Sequence, residues 1–164
     1  KLKNIICENI TVCSFVNLNF LHLYDVSADY FHFPLSLKTL AIESSEIEEI
    51  MLPKNLEYLI LSAVDIESIE INDDLKVIHV TDSHVGLEGD PDLTGFIAVR
   101  TQFYYHQTIY GIDLELLILI DVLKLELDSV TTNKLFIENS EAELDLDSYK
   151  EIIDAETLKT FKID

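Results

Sequence analysis

The residues with chemical potential in this 164-residue chain are five histidines, two cysteines, scattered serines and 31 acidic side chains. His22 and His79 are the first pair to weigh as metal ligands. They share a column of the repeat described below, three units apart. At roughly 4.8 Å per stacked strand they stand well beyond about 10 Å from each other, too far to share an ion. His84, with Asp82, Asp90 and Asp92 nearby in sequence, has the elements of a cation site, but neither EF-hand spacing nor a repeated Asp ladder accompanies it. Glu46, Glu48 and Glu49, echoed one unit on by Glu67 and Glu70, would act as acid and base only in a pocket that separates their environments. On a repeat exterior such a run reads as a solvated face. Ser44, Ser45 and Ser62 lack the GxSxG elbow, and there is no phosphate loop and no GxGxxG. Cys7 falls in an apolar column, and nothing near Cys13 marks it as a nucleophile. The sequence therefore predicts no catalytic residue, no metal ligand set and no cofactor, and the chain is expected not to be an enzyme.

The elements that would position any site must come from the body of the chain. Hydrophobic residues make up 48% of it, enough for one domain with a sizeable core. The formal net charge of −20 disfavours nucleic acid and anionic lipid as partners. Two cysteines without a CxxC favour a reducing, intracellular compartment, cytoplasmic or nuclear. No apolar run reaches the roughly 18–20 residues of a membrane span. The longest, LELLILIDVLKLEL, is interrupted by Asp121, Lys124 and Glu126. No signal peptide is visible.

An apolar triplet spaced i, i+3, i+5 recurs along the whole chain. It reads Leu2-Ile5-Cys7, Leu18-Leu21-Leu23, Leu37-Leu40-Ile42, Leu56-Leu59-Leu61 and Leu75-Ile78-Val80. It continues as Phe96-Val99-Thr101, Leu114-Leu117-Leu119, Thr132-Leu135-Ile137 and Leu158-Phe161-Ile163. The steps between starts are 16, 19, 19, 19, 21, 18, 18 and 26 residues. A second apolar column follows thirteen positions after each start, at Phe15, Phe31, Ile50, Ile69, Ile109 and Leu127, with breaks at Glu88 and Asp145. Each unit is too small to bury its own apolar face, so about nine units must stack into one repeat domain spanning residues 1–164. Both ends of the chain fall inside repeat strands, and the first residue is Lys1. A parent polypeptide extending beyond one or both ends is expected.

The LxxLxL wording, and LPKNLEYLIL in particular, resembles the leucine-rich repeat of the short LPxxLxxL type. The resemblance implies a curved solenoid with a parallel sheet lining its concave side, and protein binding as the usual role. The chain departs from the family at the ninth position of the unit, where Asn or Cys commonly bonds the turn. That column here reads Ile10, Val26, Ser45, Val64, Ser83, Tyr104, Val122 and Ser140. Only the serines fit such a ladder, so the turns must satisfy their backbone groups in another way.

The expected fold class is a mainly β, leucine-rich-repeat-like solenoid. Its convex segments are extended or 3-10, because IESIEI and LKLELD alternate with period two. One short helix is expected at about 149–157, where Ser148-x-x-Glu151 has the form of a capping box. Residues 86–111 stand out as an irregular segment holding all four glycines, the only arginine and the cluster Phe103, Tyr104, Tyr105 and Tyr110. Two readings fit it: a loop leaving the coil to make contacts, or a poorly matching repeat with a wider aromatic core. The second fits better, because Tyr104 and Ile109 fall in buried columns.

Positions 1, 4 and 6 of each unit are expected to point inward, and positions 2, 3 and 5 outward onto the concave face. Nine units give 27 outward positions, with seven basic residues (Lys3, Lys38, Lys76, Arg100, Lys134, Lys159 and Lys162) and two acidic ones (Glu57 and Glu115). Apolar and aromatic residues join them. The candidate protein-binding set is Phe20, Lys38, Tyr58, Ile60, Lys76, Val77, His79, Arg100, Leu116, Ile118 and Phe136. The competing explanation is that lysines keep an open sheet soluble and scattered apolar residues need no cause. The functional expectation is a protein-protein interaction module. Its alternatives are the substrate-recognition region of a ubiquitin-ligase adaptor or bacterial effector, and a purely structural spacer.

Overall fold

The computed structural model describes residues 2–6, 9–11, 17–89, 92–110 and 113–152. These contain β1 (Leu2–Ile6), β2 (Asn9–Thr11), β3 (Phe20–His32), β4 (Thr39–Glu43), β5 (Glu46–Met51), β6 (Tyr58–Ser62) and β7 (Asp65–Glu70). There follow β8 (Val77–Thr81), β9 (His84–Glu88), β10 (Gly95–Val99), β11 (Gln102–Tyr110), β12 (Asp113–Ile120), β13 (Leu123–Glu138) and β14 (Glu141–Ile152). The order runs β1-β3-β4-β6-β8-β10-β12-β13 along a first flank and returns β13-β11-β9-β7-β5 to β3 along a second. The pairings along both flanks are parallel. Strands β3 and β13 are long enough to belong to both flanks. The chain is thus a β-solenoid: each turn lays one strand on the first sheet, bends, and lays one on the second. There is no helix among the described residues, and so none long and apolar enough to cross a membrane.

The inward triplet explains why these residues form strands. Leu56, Leu59 and Leu61 are fully buried, as are Leu37, Leu40 and Leu75, and each stacks on its equivalent in the next turn. On the second sheet, Phe31, Ile50 and Ile69 pair in register and face the same core. Phe96 of the first sheet and Phe103 of the second stack at 6.3 Å, closing the core between them. Each such buried side chain contributes about 1.5–3 kcal/mol.

Two corners connect the sheets. At the first, Asp25, Ser44, Ala63, Asp82, Arg100, Asp121 and Asn139 all have φ between 46° and 54°. That left-handed conformation costs roughly 1–2 kcal/mol for a residue with a Cβ. Stacking offsets it. The N–H groups of Ser44, Ala63, Asp82, Arg100 and Asp121 reach carbonyls of the following turn at 2.7–3.0 Å. The next seat reads Val26, Ser45, Val64, Ser83, Thr101, Val122 and Ser140. Here the Ser45, Ser83 and Ser140 hydroxyls accept the N–H of Val26, Val64 and Val122 at 3.1, 3.2 and 3.2 Å. Each serine also donates to the carbonyl two residues before it. This is how the turns do without the asparagine ladder: one serine serves two turns. At the second corner Pro34–Leu37, Pro53–Leu56 and Asn72–Leu75 close β-turns of 3.1, 3.0 and 3.2 Å.

Four expectations are corrected by the observed register. Leu2 pairs with Leu23, a 21-residue step, so Leu2 stands in register with the third position of the next triplet, not the first. Gly95 pairs with Val77 and Leu116, so an 18-residue step precedes the 21-residue one. The inward triplet there is Leu93-Phe96-Ala98, all buried, and Thr101 takes the seat expected for Tyr104. The three extra residues sit in β11, where the pairing shifts between Gln102 and Gln107. Third, residues 149–152 of the expected helix are strand, with Ser148 opposite Thr131 and Glu151 opposite Lys134. A free parallel edge on β13 takes up the backbone groups that a capping box would have organised. Residues 153–157 lie outside the described residues, as do Cys7, Cys13, Phe15 and the Leu158-Phe161-Ile163 triplet. Fourth, Leu87 and not Glu88 continues the second column, because β9 is one residue shorter than β7 at that point. Gly86 permits the shortcut, since a Cβ there would lie 2.0 Å from the Glu67 carbonyl oxygen. The described part of segment 86–111 keeps to the two-sheet path of the coil, with register shifts where β9 pairs with β7 and where β11 pairs with β13.

Candidate functional site

The outer face of the first sheet is the face expected to be concave. Its fifth-position column reads His22, Ala41, Ile60, His79, Ile97, Ile118 and Phe136, each paired with the next. Beside it runs the third-position column Phe20, Thr39, Tyr58, Val77, Gly95, Leu116 and Lys134. Pleating places both columns on the same side, away from the core. Ile97, Ile118 and Phe136 form a second apolar cluster with Val99, Leu116 and Ile120, and they are buried although they face outward. At the other end the face is open: Phe20 is 55% exposed and Tyr58 44%.

Between these ends lies a hollow of about 420 Å³ lined by Tyr58, Ile60, Val77, His79, Gly95, Ile97 and Leu116, with Thr39, Thr94 and Glu115 at its rim. Gly95 makes the depression, being the one member of its column without a side chain. His79 is half-buried there, its Nε2 3.1 Å from the Thr81 hydroxyl. Burial lowers its pKa below the ordinary 6.5 and keeps the ring neutral at physiological pH.

Ten of the eleven candidate residues share this face. Arg100 does not. With the register moved by three, it sits on the left-handed corner, where its guanidinium bonds Asp82 at 2.5 and 2.7 Å. That pairing holds the Asp82 carboxyl below its usual range and raises Arg100 above its own. The expected basic excess also shrinks. Lys3 pairs with Tyr24, one seat beyond the triplet, while Lys159 and Lys162 lie outside the described residues. From Asn19 to Phe136 the outward positions hold Lys38, Lys76 and Lys134 against Glu57 and Glu115, a net charge of +1. Lys38 pairs with Glu57 at 2.7 Å and Lys76 with Asp92 at 3.6 Å. The strip is a near-neutral surface on an acidic body.

The residues weighed for chemistry are engaged with one another. His84 stacks on Tyr104 with ring centroids 3.6 Å apart, and its Nδ1 lies 3.7 Å from an Asp65 oxygen that also accepts the Tyr104 hydroxyl. Asp82 and Asp92, read in sequence as partners of His84, are held by Arg100 and Lys76; Asp90 lies outside the described residues. His22 bonds Glu43 at 3.0 Å. Among the described residues no three His, Cys, Asp or Glu side chains are grouped as a metal ion requires. An open groove of about 840 Å³ follows the left-handed corner past Ser44, Asp65, Asp82, His84, Arg100 and Asp121, but its charges are largely spent on these internal pairs.

Sequence reasoning missed Gly95 and Ile97 in the hollow and Thr94 at its rim. The signal was present: Leu93-Phe96-Ala98 satisfies the i, i+3, i+5 rule as well as the triplet starting at Phe96 does. No family model, no curated protein and no solved structure matches this chain.

Proposed function

We propose that the chain is a leucine-rich-repeat-like solenoid module that binds a protein partner through the outer face of its first sheet and catalyses no reaction itself. The observation that carries this reading is the apolar column from Ala41 to Phe136, interrupted only by His79, beside exposed Phe20 and Tyr58. A solvated sheet face ordinarily alternates polar residues outward. Here both outward columns are rich in apolar and aromatic groups. Aromatic anchors with a charge-poor centre are the composition of protein interfaces. The acidic remainder of the chain disfavours acidic partners and nucleic acid. The cysteine usage supports a reducing compartment inside the cell.

Photo-crosslinking tests the reading. A photoreactive residue at Tyr58 is expected to give a discrete protein adduct that the same residue at Glu67, on the second sheet, does not. Ile60→Asp should abolish the adduct. Equal adducts from both faces, or none from Tyr58, overturn the assignment.

A further inference from the structure

Resting on the docking reading above, we infer that the hollow around Gly95 receives one apolar side chain of the partner, carried by a basic segment with lysine or arginine close to that anchor. The hollow's walls are Tyr58, Val77, Ile97 and Leu116, its floor is Gly95, and Glu115 is its only charged lining residue. The neighbouring cations are already committed, Lys38 to Glu57 and Lys76 to Asp92. Glu115 is exposed and makes no ion pair within 4 Å among the described residues. An apolar cavity edged by one uncompensated carboxylate, on a chain of net charge −20, complements an apolar group beside a positive charge. An acidic or neutral segment would fill the cavity but leave Glu115 without its counter-charge, and an acidic one would also be repelled by the body of the protein.

Gly95 lets the idea be tested without damaging the fold. A Cβ at this position meets only Val77 side-chain carbons at 3.5 and 3.6 Å, ordinary contact distances, so a larger side chain grows outward into the hollow. The probe is a random peptide display library selected on the wild-type protein, with each enriched peptide then titrated against Gly95→Leu and Glu115→Lys. Enriched peptides are expected to carry Leu, Phe or Trp with Lys or Arg within a few positions. Gly95→Leu should weaken them about tenfold or more, and Glu115→Lys severalfold, with the salt dependence lost. Glu115→Lys alters an exposed side chain and keeps the test valid if Gly95→Leu folds poorly. Peptides blocked by Gly95→Leu but without basic flanks, and indifferent to Glu115→Lys, overturn the basic-segment inference while the docking reading stands. Peptides indifferent to both variants, or no enriched peptide at all, also overturn the inference, and crosslinking from Tyr58 then judges the docking reading separately.

Discussion

The Ser83 hydroxyl accepts the backbone N–H of Val64, one turn earlier, at 3.2 Å, and donates to its own strand's Thr81 carbonyl at 2.7 Å. Both Ser83 and Val64 are buried. The side chain is thus a backbone substitute, joining two turns at a corner where the main chain cannot close the ladder itself. Its counterparts Ser45 and Ser140 repeat the arrangement two turns before and three turns after.

Removing that hydroxyl leaves a buried N–H without a partner, which costs about 1–3 kcal/mol. Ser83→Ala is therefore expected to lower stability by that amount in urea unfolding, and to speed hydrogen exchange at the Val64 amide. Ser62→Ala, on the outer face, should stay within about 0.5 kcal/mol. An unchanged midpoint with Val64 still protected would show that the hydroxyl is dispensable.

How much of this was legible in the sequence depends on what kind of information each feature needs. The i, i+3, i+5 triplets identified the inward residues of the clean units because burying Leu56, Leu59 and Leu61 together leaves the strand no other face to hide. The same rule failed at Phe96. Two overlapping triplets satisfy it there, and only the stacking of Phe96 on Ile78 and Leu117 chooses between them. Arg100 was misplaced by that one error. Ser148 looked like a helix cap because capping is a local signal, whereas the edge of β13 that overrides it is a tertiary one. The lysines looked like a free basic strip because sequence does not show which carboxylates, Glu57 and Asp92, stand beside them.

Gly86 and Gly95 belong to the same glycine-rich segment, yet the structure separates them. A Cβ on Gly86 would lie 2.0 Å from the Glu67 carbonyl oxygen, while one on Gly95 has open room beyond Val77. Gly86→Ala must push β7 and β9 apart, and overpacking of this kind costs about 1–3 kcal/mol or more. Gly95→Ala is expected to be within about 0.5 kcal/mol. Thermal unfolding of the two variants side by side decides it, and equal losses would refute the close approach.

Ala63 is exposed and held at φ 51° in the left-handed corner. Glycine relieves a strain of roughly 1–2 kcal/mol there and gives back about 0.5–1 kcal/mol in unfolded-chain entropy. Ala63→Gly is therefore expected to stabilise by about 0.5 kcal/mol, and Ala63→Val, with a branched Cβ, to destabilise by about 1 kcal/mol or more. Chemical denaturation measures both. The opposite ranking would mean that this corner is not left-handed in solution.

His79 makes the stability of the hollow depend on pH. Burial lowers its pKa from 6.5, so the unfolded chain binds a proton at this ring more readily than the folded one does. The sign follows: as pH falls below about 6.5 toward the lowered folded value, the folded state loses stability, and the loss is complete once both states are protonated. His79→Gln keeps a hydrogen-bonding group beside Thr81 but cannot titrate. The difference in unfolding free energy between wild type and this variant is expected to be flat above neutrality and to move against wild type as pH falls below about 6.5. The other titratable groups are common to both proteins and cancel in the comparison. A difference that stays constant from about pH 8 to 5 would show that His79 is hydrated and that the hollow is open to water in solution.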